Sequence, residues 1–224
     1  MSDIEIMLSK HIQEYYGGYY LTHNKNALDK NRSFLRDDLM IKEFISKYAT
    51  AKYIFEVGSG SCRWFDFFKQ YITHYYAIDV NSSALALAPK HKKITTINGD
   101  IFQDELEILQ SLDYSITTLF FSFFLSHFSD TTIQRLLKKI ENINSILIID
   151  SFWGNRHKEK YITKDLKEVK RRISNNEFIN LPKRFFEYED VKNIFTPLGY
   201  RISYFVQGEY WFACTIKKQN ELEY

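Results

Sequence analysis

Short apolar runs alternate with stretches of mixed polarity through the middle of the chain. Residues 52–57, 75–79, 93–97, 114–121 and 145–150 are rich in β-branched and aromatic side chains and are short enough for strands. The intervening segments 63–71, 82–87, 104–111 and 130–140 carry helical periodicity. Strands and helices taking turns in this way predict an α/β fold, a parallel sheet with helices on both faces. Before this region, Ile4, Met7, Leu8, Ile12, Tyr15 and Tyr19 recur at helical spacing until Gly17 and Gly18 break the pattern. A second helix is expected over 33–47, with Ser33 as its N-cap. After the alternating region the rhythm changes. Lys160, Lys164, Lys167 and Arg171 fall on one face of a helical projection and Leu166, Val169 and Ile173 on the other, so an amphipathic helix is expected there. A further helix over 188–195 stops at Pro197 and Gly199, and runs 200–206 and 210–217 read as a hairpin about Gln207, Gly208 and Glu209.

Composition narrows the class only a little. The chain has 224 residues, enough for one sizeable core, and a net charge of +2, so no global field marks it as a binder of nucleic acid or membranes. Aromatic residues are abundant, with 19 Phe, 16 Tyr and 3 Trp, which favours an aromatic-lined ligand pocket besides filling the core. Cys62 and Cys214 support no disulfide framework, and neither stands at zinc-ligand spacing from a Cys or His. No metal is expected. The first ten residues carry Asp3 and Glu5 with no apolar run behind them, and 116–125 is too short to span a bilayer. The expectation is a cytoplasmic protein with no membrane partner; nothing in the sequence addresses its oligomeric state.

Chemistry concentrates where the first apolar run ends. Residues 53–62 read as a buried strand entering a tight turn at Gly58, Ser59 and Gly60, and the next strand ends on Asp79. A carboxylate at that tip suits a ribose diol, which it can hold by charge-assisted hydrogen bonds. A dinucleotide turn needs a third glycine where this chain has Arg63, which weakens nicotinamide binding. The acidic lead residue in Glu56-x-Gly58-x-Gly60 instead resembles motif I of the class I S-adenosylmethionine-dependent methyltransferases. That family's fold also ends in an antiparallel hairpin, its seventh strand inserted between the fifth and sixth. The resemblance implies a Rossmann-like, seven-stranded, mostly parallel sheet with a C-terminal antiparallel hairpin. It implies S-adenosylmethionine as cofactor, Gly58, Ser59 and Gly60 beside its methionine moiety, and Asp79 with Val80 at its ribose. Asp100 and Ile101, after the third strand, match the adenine position.

Phe121 and Ser122 end the fourth strand, and the segment on to His127 is expected to face the transferable methyl. It lacks the Asn/Asp-Pro-Pro-aromatic sequence of amino-methyltransferases, which points to another acceptor. Ser126-His127-Phe128-Ser129-Asp130, then Asp150-Ser151, Arg171-Arg172 and 183–186 look like a bacterial group of small-molecule methyltransferases, over 53–217. Cys62 departs from that pattern at the third small position of the turn, as does 141–144, which lacks a Pro-Gly-Gly turn. His127 is the candidate catalytic base, with a structural capping role as the alternative. Tyr15 and Tyr19 are candidate lid residues over the cofactor.

The resulting expectation is one methyltransferase domain over 1–224, with an N-terminal helical lid (1–47), a cofactor-binding core (52–150), a substrate-facing insert (151–186), and a last helix and hairpin (187–217). Methylation of a small-molecule acceptor, at oxygen rather than nitrogen, is the favoured activity. The insert carries ten Lys or Arg against four Asp or Glu, so a tRNA or protein methyltransferase is the first rival; a non-catalytic cofactor-binding module is the second.

Overall fold

The computed structural model describes residues 32–48, 51–103, 107–140, 142–174 and 177–219. Tyr15 and Tyr19, with the rest of the expected lid segment up to residue 31, lie outside the described residues.

A single seven-stranded sheet organises the fold, with strands β1 (Tyr53–Val57), β2 (His74–Asp79), β3 (Ile94–Asn98), β4 (Thr117–Ser122), β5 (Ser145–Ser151), β8 (Tyr200–Gln207) and β9 (Trp211–Lys218). Their spatial order is β3-β2-β1-β4-β5-β9-β8. The first five are parallel, and β9 runs antiparallel to both β5 and β8 between them. The chain moves outward from β1 through β2 to β3, then returns to place β4 on β1's other side. That reversal opens a crevice beyond the carboxyl ends of β1 and β4.

Both faces of the sheet are covered, which is why its central strands are apolar without alternation. One layer joins Phe55, Phe121 and Ile148 to α5 (Asp130–Lys139) and α7 (Tyr188–Phe195). The other joins Ile54, Phe120 and Leu147 to α1 (Arg32–Tyr48) and to α2 (Phe65–Phe68). Shorter helices α3 (Ser82–Leu85), α4 (Glu107–Ser111) and α6 (Asn155–Lys160) complete the set. Among the described residues no helix is long and apolar enough to cross a membrane.

Several sequence expectations change in detail. Helix α1 already contains Ser33, which is therefore not its N-cap. The helix expected over 63–71 contracts to a single turn, Phe65–Phe68, because the preceding residues 60–64 continue the turn. The largest correction concerns the amphipathic helix expected across Lys160 to Ile173. Only Asn155–Lys160 is helical; β6 (Lys167–Ser174) follows and pairs antiparallel with β7 (Glu177–Lys183) in a separate ribbon. Val169 and Ile173 are four apart, a spacing that shares one face in a helix and in a strand alike. Long-range pairing decides between them: buried Val169 stands opposite buried Leu181.

Candidate functional site at the carboxyl ends of the strands

The turn after β1 is built on left-handed backbone. Gly58 and Gly60 have φ of 69° and 53°, and Cys62 follows at 57°. Cys62 thus occupies a conformation that favours glycine, and its buried side chain anchors the start of α2 in the core. Gly58 has a steric reason besides its dihedral. A Cβ there would stand 2.2 Å from Cδ2 of Phe124, whose ring also stacks near-parallel on Phe121 at 5.8 Å and on Phe102 at 6.3 Å. The missing side chain therefore admits an aromatic ring from the segment after β4.

The turn's amides are directed at the tip of β2. Those of Gly58 and Ser59 donate to the Ile78 carbonyl at 2.9 and 3.1 Å, and that of Gly60 donates to Oδ2 of Asp79 at 2.7 Å. These bonds fix the position of Asp79. Its Oδ1 accepts from the Asn81 amide at 2.8 Å. Burial raises the Asp79 carboxyl from its ordinary value, while amide donors at Asn81, Gly60 and Val80 pull the other way. The Val80 carbonyl and the Asp79 carbonyl both accept from Asn98 Nδ2, which ties the ends of β2 and β3 together. Glu56 lies beneath the turn, wholly buried, and accepts from the Tyr75 hydroxyl at 2.6 Å. Its carboxyl is pushed well up by burial; Tyr75 opposes the shift and the charge of Asp79 adds to it. Glu56 thus braces β2 against β1 through the Tyr75 hydroxyl.

A ribose-bearing cofactor fits this end of the crevice on an observation of its own. Ser59 is buried, and its Oγ has no hydrogen-bond partner among the described residues. Such a group implies a ligand or water. Each Asp79 oxygen accepts one of these amide bonds, and a carboxylate oxygen can accept two. Asp100 is turned to local work: Oδ1 accepts from the Phe102 amide at 2.9 Å and Oδ2 from Gln103 Nε2 at 2.7 Å. Ile101 packs into the core beneath.

The other end of the crevice lies beyond β4 and β5. Phe121 is buried in the core, and Ser122 accepts from the Trp64 indole. Phe123, next, holds φ at 51° and donates its amide to the Ile149 carbonyl. A 3-10 turn, Leu125–His127, follows. His127 is buried, and its Nδ1 lies 2.7 Å from the Pro182 carbonyl on β7. A carbonyl only accepts, so the neutral ring carries its proton on Nδ1 and its lone pair on Nε2.

Asp150, Ser126 and Lys183 join His127 here. Asp150, fully buried, accepts from the Ser126 amide at 3.0 Å and the Ser151 amide at 2.7 Å. Lys183, the last residue of β7, donates to Ser126 Oγ at 2.6 Å and stands 3.9 Å from Asp150 Oδ1. In the sequence, Asp150 and Lys183 stand out only within the resemblance, and nothing there pairs Phe124 with Gly58. The one available signal for Lys183 was a basic pair, Lys183-Arg184, set directly before Phe185 and Phe186.

Comparisons with known proteins agree with this geometry. Residues 54–144 match the family described as a methyltransferase domain. No curated protein matches the chain by sequence. Among solved structures, the DhpI–SAM–HEP complex aligns with a TM-score of 0.72 at 16% identity, covering 94% of this chain and 97% of that one. The DhpI–SAH complex gives 0.69 at 15% identity, over 96% and 98%. A SAM-dependent methyltransferase from Anabaena variabilis gives 0.63 at 14% identity, over 94% and 95%. At these identities the likeness establishes the fold. The family match covers residues 54–144, on the half of the sheet that bears Asp79, and the fold shared along nearly the whole length is that of S-adenosylmethionine-dependent methyltransferases.

Proposed function

We propose that this enzyme methylates a small-molecule acceptor at oxygen, working as one domain. Burial of the polar groups beyond β4 and β5 carries this reading. Ser126, His127, Asp150 and Lys183 are all buried, and the β6–β7 ribbon supplies the strand end that closes over them. An acceptor must enter among them to be reached, which suits a small molecule better than a tRNA or a folded protein. Asp79 holds the cofactor's ribose beside Val80; Gly58, Ser59 and Gly60 line its methionine end; Asp100 and Ile101 flank its adenine. The bound cofactor supplies an electrophilic methyl on a sulfonium, and its transfer leaves a neutral thioether. The chain's own residues align the acceptor, exclude water and receive its proton. His127 accepts that proton on Nε2, since Nδ1 is held by Pro182.

The test follows the label. Protein incubated with methyl-labelled S-adenosylmethionine and a cell extract is expected to place label in the low-molecular-weight fraction, on a bond that alkali cleaves if the product is an ester. Label in tRNA or protein would contradict the proposal. Label on nitrogen would contradict its finer half.

A further inference from the structure

We propose that the indole N–H of Trp211 is a specificity-determining hydrogen-bond donor of the acceptor site, and that the methyl acceptor presents a carbonyl or carboxylate oxygen to it. The proposal rests on the methyltransferase reading above and deepens it.

A buried N–H needs an acceptor, because taking it out of water without one is unfavourable. Two buried tryptophans show the contrast. The Trp64 indole donates to Ser122 Oγ. Trp211 is just as buried, yet its Nε1 has no hydrogen-bond partner among the described residues. A phenylalanine would fill the same apolar layer beside Leu147, Ile149 and Ala213 without burying a donor. Core packing alone therefore leaves the nitrogen unexplained.

The surroundings hold this indole in place. The Gly208 amide donates to the Trp211 carbonyl at 2.7 Å, and the Phe152 amide to the Tyr210 carbonyl at 2.9 Å. Gly208 is not left-handed, so its dihedral does not call for glycine. Space does: a Cβ there would stand 2.8 Å from Nε1 of Trp211. Gly154 is cut away in the same manner, since its Cβ would stand 2.4 Å from the Glu209 carbonyl oxygen. The turn before β9 is thereby seated on the segment leaving β5, with the indole against Gly208. Position supplies the link to the reaction. Because β9 runs antiparallel to β5, Trp211 at its start pairs with Ser151 at the end of β5, where an open α/β sheet receives its ligand. Ser59, whose Oγ is likewise without a partner, follows β1, and β4 and β5 lie between β1 and β9. The two unsatisfied groups thus bracket the crevice, Ser59 on the cofactor side and Trp211 on the acceptor side. An indole N–H only donates, so its ligand must bring a lone pair and need carry no charge. A carbonyl or carboxylate oxygen on the acceptor meets that requirement; an ammonium does not.

The chain has 3 Trp, so the indole N–H resonances of the full-length, nitrogen-labelled protein report each one separately. Trp211→Phe assigns the signal. With S-adenosylhomocysteine present, acetate, acetamide and methylammonium are titrated in turn. The Trp211 indole proton should shift with acetate, acetamide or both, and not with methylammonium, while that of Trp64 stays in place. Which oxygen probe moves it separates a charged from a neutral acceptor group. In the labelled-extract assay, Trp211→Phe should raise the extract concentration needed for half-maximal labelling about fivefold, with the maximal rate and S-adenosylhomocysteine affinity unchanged. A resonance that answers neither oxygen probe assigns the N–H to a resident water and overturns the proposal, as does an equal response to methylammonium. A fall in maximal rate with the half-maximal concentration unchanged also overturns it. Failure of S-adenosylhomocysteine to bind would instead strike the methyltransferase reading, and the indole titration would still judge Trp211. If Trp211→Phe does not fold, the signal is assigned through side-chain connectivities in the wild-type protein and the titration alone decides.

Discussion

The two ends of the crevice are built by different means. At the β1–β2 end, residues within a short span do the work: the turn from Gly58 to Gly60 donates into β2, and Asp79 answers with its carboxylate. At the β4–β5 end, the polar groups come from the turn after β4, from β5 and from the end of β7, which lies more than fifty residues beyond its partners Ser126 and His127. One end is a local motif held by backbone; the other is a convergence of side chains. The first can be recognised from sequence alone, and the second exists only after the chain has folded.

The comparison is most sharply broken by Gly58→Val. A left-handed β-branched residue carries about 1–2 kcal/mol of strain, and the Cβ collides with Phe124. The expected loss is about 3 kcal/mol of stability in chemical denaturation. Because Phe124 belongs to the β4 end, this substitution should disturb both ends together.

His127→Gln acts on one end only. With a positioned base removed, the rate should fall about 100-fold, and the pH–rate profile should lose the limb set by the imidazole. Cofactor affinity should be unchanged. A rate within a few-fold of wild type would assign His127 the structural role of tying β4's turn to Pro182.

The pH dependence reads the other end. Burial places the Asp79 carboxyl above its ordinary value, so as pH falls it takes up a proton sooner than an exposed aspartate would. On the proposed role of Asp79, ribose binding needs the ionised form, so affinity for S-adenosylhomocysteine should begin to drop at a higher pH than an ordinary aspartate dictates. In stability the sign reverses. A carboxyl whose folded value is raised favours the fold below its unfolded value, and that contribution is lost as pH rises through the folded one. Titration of binding against pH separates the two effects.

Cys62→Gly should have the smallest consequence. Relief of the left-handed strain offsets the lost burial of the thiol, and the melting temperature is expected to move by no more than a few degrees.

How much was legible in the chain follows from the same contrast. The strands around Glu56, Asp79 and Phe121, and the C-terminal hairpin, could be read because each run is apolar over its own length and bounded by turn residues. The ribbon could not. Val169 and Ile173 satisfy a helix and a strand equally, and only Leu181, far along the chain, breaks the tie. Lys183 was hidden for the same reason, since its meaning depends on Ser126 and Asp150 arriving beside it. Phe124 was hidden because Gly58 explained itself as a turn glycine, leaving no sign that a ring would take the vacated space.

The most direct test of the account is calorimetric titration of S-adenosylhomocysteine into wild-type protein and Asp79→Ala at neutral pH. Wild type should bind, and the variant at least about tenfold more weakly, as expected when two hydrogen bonds to a charged group are lost. NAD should bind neither. Equal affinity in the two proteins, or binding of NAD in place of S-adenosylhomocysteine, would contradict the claim that Asp79 holds the ribose of the methyl donor.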